Sequence, residues 1–97
     1  MNTFEMIALE DTVTQVKGII CSDMAGEKVM LSVKNGKYYN LGETGGVIWD
    51  LIENPIKVRE IVESMKAEYD VNDQECEIQV RSFLDNLIRE GLIHKNI

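Results

Sequence analysis

About halfway along this chain of 97 residues, at Gly42, the spacing of its apolar residues changes from two to between three and four. A spacing of two puts successive apolar side chains on one side of an extended strand, and the longer spacing puts them on one side of a helix. The chain must therefore build a sheet first and helices second. From Asp11 to Cys21 it is rich in β-branched residues, with Gly18 expected to mark a bulge or bend in a first strand. A polar turn, Ser22 to Glu27, leads to a second strand, Lys28 to Val33, in which Val29, Leu31 and Val33 recur at period two and should share a face. Asn35-Gly36 follows, and between two alternating runs it predicts a type I′ hairpin, because both residues tolerate positive φ. The third strand, Lys37 to Leu41, then places Tyr39 and Leu41 on the core face and Tyr38 and Asn40 on the other.

Beyond Gly42 the pattern predicts three helices. Val47, Ile48, Leu51 and Ile52, with Trp49 beside them, form the stripe of the first, which Asn54-Pro55 ends. Val58, Ile61, Val62 and Met65 form that of the second, which fades near Tyr69-Asp70 and has Lys57 where a Ser or Thr cap is usual. The third begins at Asn72 as cap, carries Asp73, Glu75 and Glu77 in its first turns, and buries Cys76, Val80, Phe83, Leu84 and Leu87 until Gly91 stops it. Leu92-Ile93 should fold back onto the core, to which Ile48, Trp49, Leu51, Leu84 and Leu87 are assigned. This is an α+β architecture: a three-stranded antiparallel sheet followed by three helices that cover one of its faces. Its length suits one domain over residues 1–97, with 1–10 expected to be flexible.

Charge and residue types narrow the function. A formal charge of −7 opposes a nucleic acid partner, whose phosphates draw affinity from Lys and Arg. No run of about twenty apolar residues spans a membrane, and the amino terminus lacks the basic start and apolar centre of a secretory signal, so a cytoplasmic protein is expected. Cys21 and Cys76 have no metal-type spacing and His94 is the one histidine, so no metal, cofactor or redox dithiol is expected. No nucleophile-base pairing or phosphate-cradling glycine loop is present, and Gly45-Gly46 is better explained by close helix-to-sheet approach. Glu60, Glu63, Asp85 and Glu90 read as solvated helix faces. The chain reads as a non-enzyme.

The third strand carries Tyr38, Tyr39 and Leu41 against one charge, Lys37, which defends an edge poorly against another chain. The stretch Gly36-Lys37-Tyr38-Tyr39-Asn40-Leu41 through Gly45-Gly46-Val47-Ile48-Trp49, together with Phe83-Leu84-Asp85-Asn86-Leu87 through Gly91-Leu92-Ile93, resembles the PqqD-like family. The likeness runs from about Val13 to Ile93, with two departures: Gly42 stands where the family commonly has Asn, and Lys57 replaces the usual cap. Asp11 to Gln15, Ser22-Asp23-Met24 and Gly26 to Val33 further resemble the free-standing recognition proteins of lasso-peptide gene clusters in Gram-positive bacteria. The resemblance implies a winged-helix-like element whose third strand accepts the leader of a ribosomally made precursor as an added strand. Main-chain bonds would come from Lys37, Tyr38, Tyr39, Asn40 and Leu41, and pockets from Tyr39, Leu41, Cys76, Val80 and Phe83, with Gln79 at the rim. Cys76, Val80 and Phe83 equally fit a plain core stripe.

The implied role is an adaptor that presents the leader to a separate cysteine protease and to the ring-forming cyclase. Two alternatives use the same fold: presenting a precursor to a radical SAM enzyme in quinone cofactor synthesis, or a winged-helix transcription regulator, which the acidic start of the third helix opposes. A monomer is expected, with a strand-swapped dimer as the other state.

Overall fold

The computed structural model describes residues 7–96. Among them the order is β1 (Thr12–Gln15), β2 (Ile19–Met24), β3 (Glu27–Ser32), β4 (Tyr38–Leu41), α1 (Gly42–Leu51), β5 (Ile56–Lys57), α2 (Val58–Glu68), α3 (Asp73–Arg89) and β6 (Ile93–Lys95). Strands β2, β3 and β4 form an antiparallel sheet in that order, and β5, β1 and β6 form a second, smaller one. The expected three-stranded sheet followed by three helices is present. The small second sheet is an addition to it.

That addition corrects the reading of Asp11 to Cys21 as one strand. Gly18 has a φ of +88°, a left-handed conformation that glycine adopts without steric cost, and here the chain leaves one sheet for the other. The turn after β2 is also tighter than expected. Ala25 and Gly26 have φ of 55° and 85°, the pair of positive values that makes a two-residue hairpin, so β2 runs on to Met24. Asn35-Gly36 makes a hairpin where expected but not a type I′ turn. Only Gly36 of the two has positive φ, and a longer loop is closed by Ser32 N–H donating to Lys37 O at 3.0 Å. Asn35 works through its side chain, whose Oδ1 accepts from Lys37 N–H at 2.9 Å.

Strand β1 ties the helices together through main-chain groups. Gln15 donates from its backbone N–H to Ile52 O (3.1 Å) and from Nε2 to Trp49 O (2.8 Å), which satisfies carbonyls at the end of α1. At the start of α2, Val58 N–H donates to Asp11 O and Arg59 N–H to Leu9 O, both at 2.9 Å. These two carbonyls explain how the helix begins at Lys57 with no side-chain cap. β6 pairs with β1 from the other side and returns the chain after α3. Residues 7–10, expected to be flexible, are therefore anchored: Ile7 is fully buried, its N–H donates to Asp85 Oδ1 (3.1 Å) and its carbonyl accepts from Arg81 Nε (2.7 Å). Residues 1–6 of that expectation lie outside the described residues.

The core gathers Met30 from the sheet, Ile48, Trp49 and Ile52 from α1 and the turn after it, Ile61 from α2, Leu84 from α3, and Leu92. Leu51, assigned to it from the sequence, is half-buried. In β3 the face turned to the helices carries Met30 and Ser32, whereas Val29 and Leu31 share the outward face. Gly42, with a φ of +73°, occupies the left-handed region that Asn tolerates best among other residues. The departure from the family's Asn is thus conservative in backbone terms.

Helix α3 starts as the sequence predicts: Asn72 Oδ1 accepts from Gln74 N–H (2.9 Å) and Glu75 N–H (3.1 Å). Replacing Asn72 by Ala is expected to cost about 1 kcal/mol of folding stability, read as a lower urea midpoint at unchanged slope.

A groove between an open strand edge and the third helix

Strand β4 is an edge of its sheet, and its register decides which of its groups are free. The Cα partners are Leu31 with Tyr38, Met30 with Tyr39 and Val29 with Asn40, and Ser32 N–H bonds Lys37 O in continuation of that ladder. Antiparallel pairs alternate between bonded and non-bonded, so Lys37 and Tyr39 direct their main-chain groups at β3. The N–H and C=O of Tyr38 and Asn40 consequently face away from the sheet. The side chain of Asn40 is committed elsewhere: its Nδ2 donates to Glu27 Oε1 (2.9 Å) and its Oδ1 accepts from Gly42 N–H (2.9 Å).

Beside this edge lies an apolar cavity of about 390 Å³, walled by Leu41 of β4, by Thr44, Gly45 and Ile48 of α1, by Met65, Tyr69 and Val71 at the end of α2 and beyond, and by Cys76, Gln79, Val80 and Phe83 of α3. Five residues selected from the sequence, Leu41, Cys76, Gln79, Val80 and Phe83, meet there. The two readings of Cys76, Val80 and Phe83 converge, since Cys76 and Val80 are buried in the core cluster while also lining the cavity, and Phe83 packs against it half-exposed. Tyr39 is not in the wall. Its hydroxyl donates to Glu90 Oε1 (3.0 Å) and accepts from Asn35 Nδ2 (3.1 Å), and Lys37 Nζ stands 3.8 Å from the same carboxylate. This cluster holds β4 to the carboxyl end of α3, and the cavity lies against residues 76–83, nearer its amino end. Tyr38, 74% exposed, lies on the outer face of the sheet.

Gly45, Thr44, Ile48, Met65, Tyr69 and Val71 were not anticipated as wall residues, nor was Glu90 as a clasp. Only Gly45 carried a signal. A Cβ there would meet Leu41 Cβ at 3.0 Å and the Phe83 ring at 3.1 Å, whereas one at Gly46 would meet Lys28 Cβ at 3.1 Å. Close approach to the sheet, the reason read for both glycines, holds for Gly46 on β3; Gly45 makes room between β4 and the ring of α3. The others come from elements far apart in sequence. Among the described residues no group of three metal-ligating side chains occurs, and no helix is long and apolar enough to cross a membrane.

The chain matches, over residues 27–93, the family described as coenzyme PQQ synthesis protein D (PqqD). Two solved structures share its fold. TbiB1 in complex with the TbiA(beta) leader peptide is 30% identical, with a TM-score of 0.76, and the match covers 84% of this chain and 94% of that one. Lasso peptide synthetase B1 complexed with the leader peptide is 17% identical, with a TM-score of 0.74 over 84% of this chain and 96% of that one. No curated protein matches the chain.

Burial pushes the Cys76 thiol above its ordinary pKa, with Lys66 pulling partly the other way, and its Sγ lies 3.9 Å from Val62 O. A raised thiol pKa means less thiolate at a given pH, hence slower nucleophilic attack. At about pH 8, a colorimetric disulfide reagent is expected to modify exposed Cys21 quickly and Cys76 slowly, the slow phase accelerating as pH rises. Two equally fast thiols would show that the cavity wall is not closed around Cys76.

Proposed function

Because this chain belongs to the PqqD family, we propose that it binds the leader segment of a ribosomally synthesised precursor, of the lasso-peptide kind, and presents it to the enzymes that process it. The observation that carries this reading is the open edge of β4 lying beside an apolar cavity. A peptide strand added there pairs with the free main-chain groups of Tyr38 and Asn40. Strand addition draws its affinity from such bonds and its specificity from pockets that receive alternate side chains. Leader side chains level with Leu41 point to the helix side and enter the cavity against Cys76, Gln79, Val80 and Phe83; those level with Tyr38 and Asn40 stay on the outer face. Lys37 and Tyr39 hold the strand in place through Glu90.

The complexes of TbiB1 and of lasso peptide synthetase B1 with leader peptides support the reading, the former at 30% identity. The family's description, coenzyme PQQ synthesis, supports a second one, a part in quinone cofactor synthesis, where the resemblance implies that a precursor is presented to a radical SAM enzyme; the identity to TbiB1 favours the first. In either case the chain acts without catalysis of its own, as a cytoplasmic monomer, and its catalytic partners are separate; on the first reading they are a leader-cleaving cysteine protease and a cyclase. Its charge of −7 sets it against nucleic acid.

The direct test uses fluorescent synthetic leaders, beginning with the TbiA(beta) leader that TbiB1 holds, together with a leader protease and the full-length precursor. The chain should bind a leader, hydrolyse nothing alone, and accelerate the protease on full-length precursor; unchanged protease turnover would remove the adaptor role. Asn40→Pro deletes one outward N–H donor, so leader affinity should fall by about 0.5–1.5 kcal/mol in anisotropy titrations while circular dichroism stays native. Gly45→Val fills the space between Leu41 and Phe83. Crowding of this kind costs about 1–3 kcal/mol, and here it should appear as leader affinity lost about tenfold or more in a folded protein. Undiminished affinity in both variants would place the leader elsewhere.

A further inference from the structure

The free part of the β4 edge is short, because the chain closes it at both ends. Val29 faces Asn40, but Lys28 faces Gly42 in an isolated antiparallel bridge, so Leu41 is an extra residue on β4. Its φ of −85° and ψ of −12° are helical, and such a bulge ends pairing and re-aims a side chain; here Leu41 lines the cavity. At the other end Gly36 has a φ of +70° and gives its N–H to Ser32 O at 2.7 Å. Between these ends only Tyr38 and Asn40 present main-chain groups outward. Neither side chain covers them, since Tyr38 stands exposed on the outer face and Asn40 is drawn back to Glu27 and Gly42.

We propose that a leader lies antiparallel to β4 in a single register, paired through three residues only, and that the site selects leaders by which of their backbone nitrogens carry hydrogen. The inference rests on the leader site proposed above and specifies what that site accepts. An antiparallel partner exchanges both bonds of Tyr38 with one residue and both bonds of Asn40 with another two places away, so its paired segment is as long as the free edge. A parallel partner spreads the same bonds over five residues and overruns both the bulge and the Gly36 turn. The existing pairs of this sheet are antiparallel as well. From its amino end the leader then passes Leu41, Asn40, Tyr39 and Tyr38. Residues level with Asn40 and Tyr38 donate their N–H to the carbonyls of β4 and keep their side chains on the outer face. Those level with Leu41 and Tyr39 turn their side chains to the helix side and leave their N–H pointing away from β4. Proline has no N–H. It is therefore excluded level with Asn40 and Tyr38 and accommodated level with Leu41 and Tyr39, where it also keeps the residue before it extended.

The test uses the full chain and the fluorescent TbiA(beta) leader that TbiB1 holds, resynthesised with a methyl group on one backbone nitrogen at a time. The cavity residue is identified first, as the leader residue whose truncation to alanine costs affinity for the wild-type chain but not for Gly45→Val. Methylating its own nitrogen should change affinity by less than about threefold. Methylating the next residue, or the one two places beyond that, should weaken binding about tenfold or more, through a lost bond and a methyl group pressed against β4. Proline compared with alanine at each position should follow the same alternation. In the chain itself, amide exchange followed by NMR should slow at Tyr38 and Asn40 when the unmodified leader binds. Sensitivity at the nitrogen of the cavity residue means a parallel leader and overturns the register. A leader that binds with no sensitive position, or that leaves Tyr38 and Asn40 exchanging as before, is held by side chains alone, which overturns the inference and leaves leader binding standing. A chain that binds no unmodified leader removes the leader site and this inference with it.

Discussion

Strand β1 is the joint on which the rest of the molecule hangs. Within four residues and their flanks it pairs with β5 and β6, supplies donors to the end of α1 through Gln15, and is preceded by the carbonyls of Leu9 and Asp11 that start α2. Helix ends carry main-chain groups that need partners, and here one extended segment provides them for two helices and, through β6, returns the chain after the third. The apolar stripes of the helices explain that they pack. Hydrogen bonds to β1 and its flanks explain where their ends stop.

That arrangement makes the groove. Helix α3 is held near β4 at its carboxyl end by Tyr39, Lys37 and Glu90, and the cavity lies nearer its amino end, against residues 76–83. Gly45 keeps the space between Leu41 and Phe83 clear, because any Cβ there would press on both. The result is an edge strand with unsatisfied main-chain groups next to unfilled apolar volume. Either feature alone is a liability to a folded protein, the first inviting unspecific pairing and the second forfeiting packing. Together they carry the proposal of a receptor for an extended peptide with apolar residues at alternate positions.

The two open edges of this sheet are not equivalent. β2 forms the other edge, where Cys21 and Asp23 are exposed and Asp23 shares with Lys28 and with Glu43 and Asp50 of α1 only a small, charged hollow of about 160 Å³. An extended peptide there would gain main-chain bonds without an apolar cavity for its side chains. The location of α3 therefore distinguishes the two edges.

Much of this was legible in the amino-acid order, because it is encoded by neighbours in sequence. The shift of period at Gly42, the Asn72 cap, the alternation of Tyr38 to Leu41 and the stripe of α3 all depend on local spacing, and they sufficed for the fold class; that Leu41, Cys76, Gln79, Val80 and Phe83 could line a pocket was what the family resemblance implied. Legibility ended where geometry joins distant segments. The division of Asp11 to Cys21 between two sheets follows from pairing with β5 and β6, which no local pattern announces, and Asn35-Gly36 lost its type I′ geometry to the bonds of a longer loop. Alternation in β3 showed that Val29 and Leu31 share a face, but only the position of the helices decided that Met30 is the residue turned inward. The sequence by itself determined the elements and the faces each could bury; the tertiary structure decided which faces were buried and which edge was left open, because burial and main-chain pairing are satisfied between elements rather than within them.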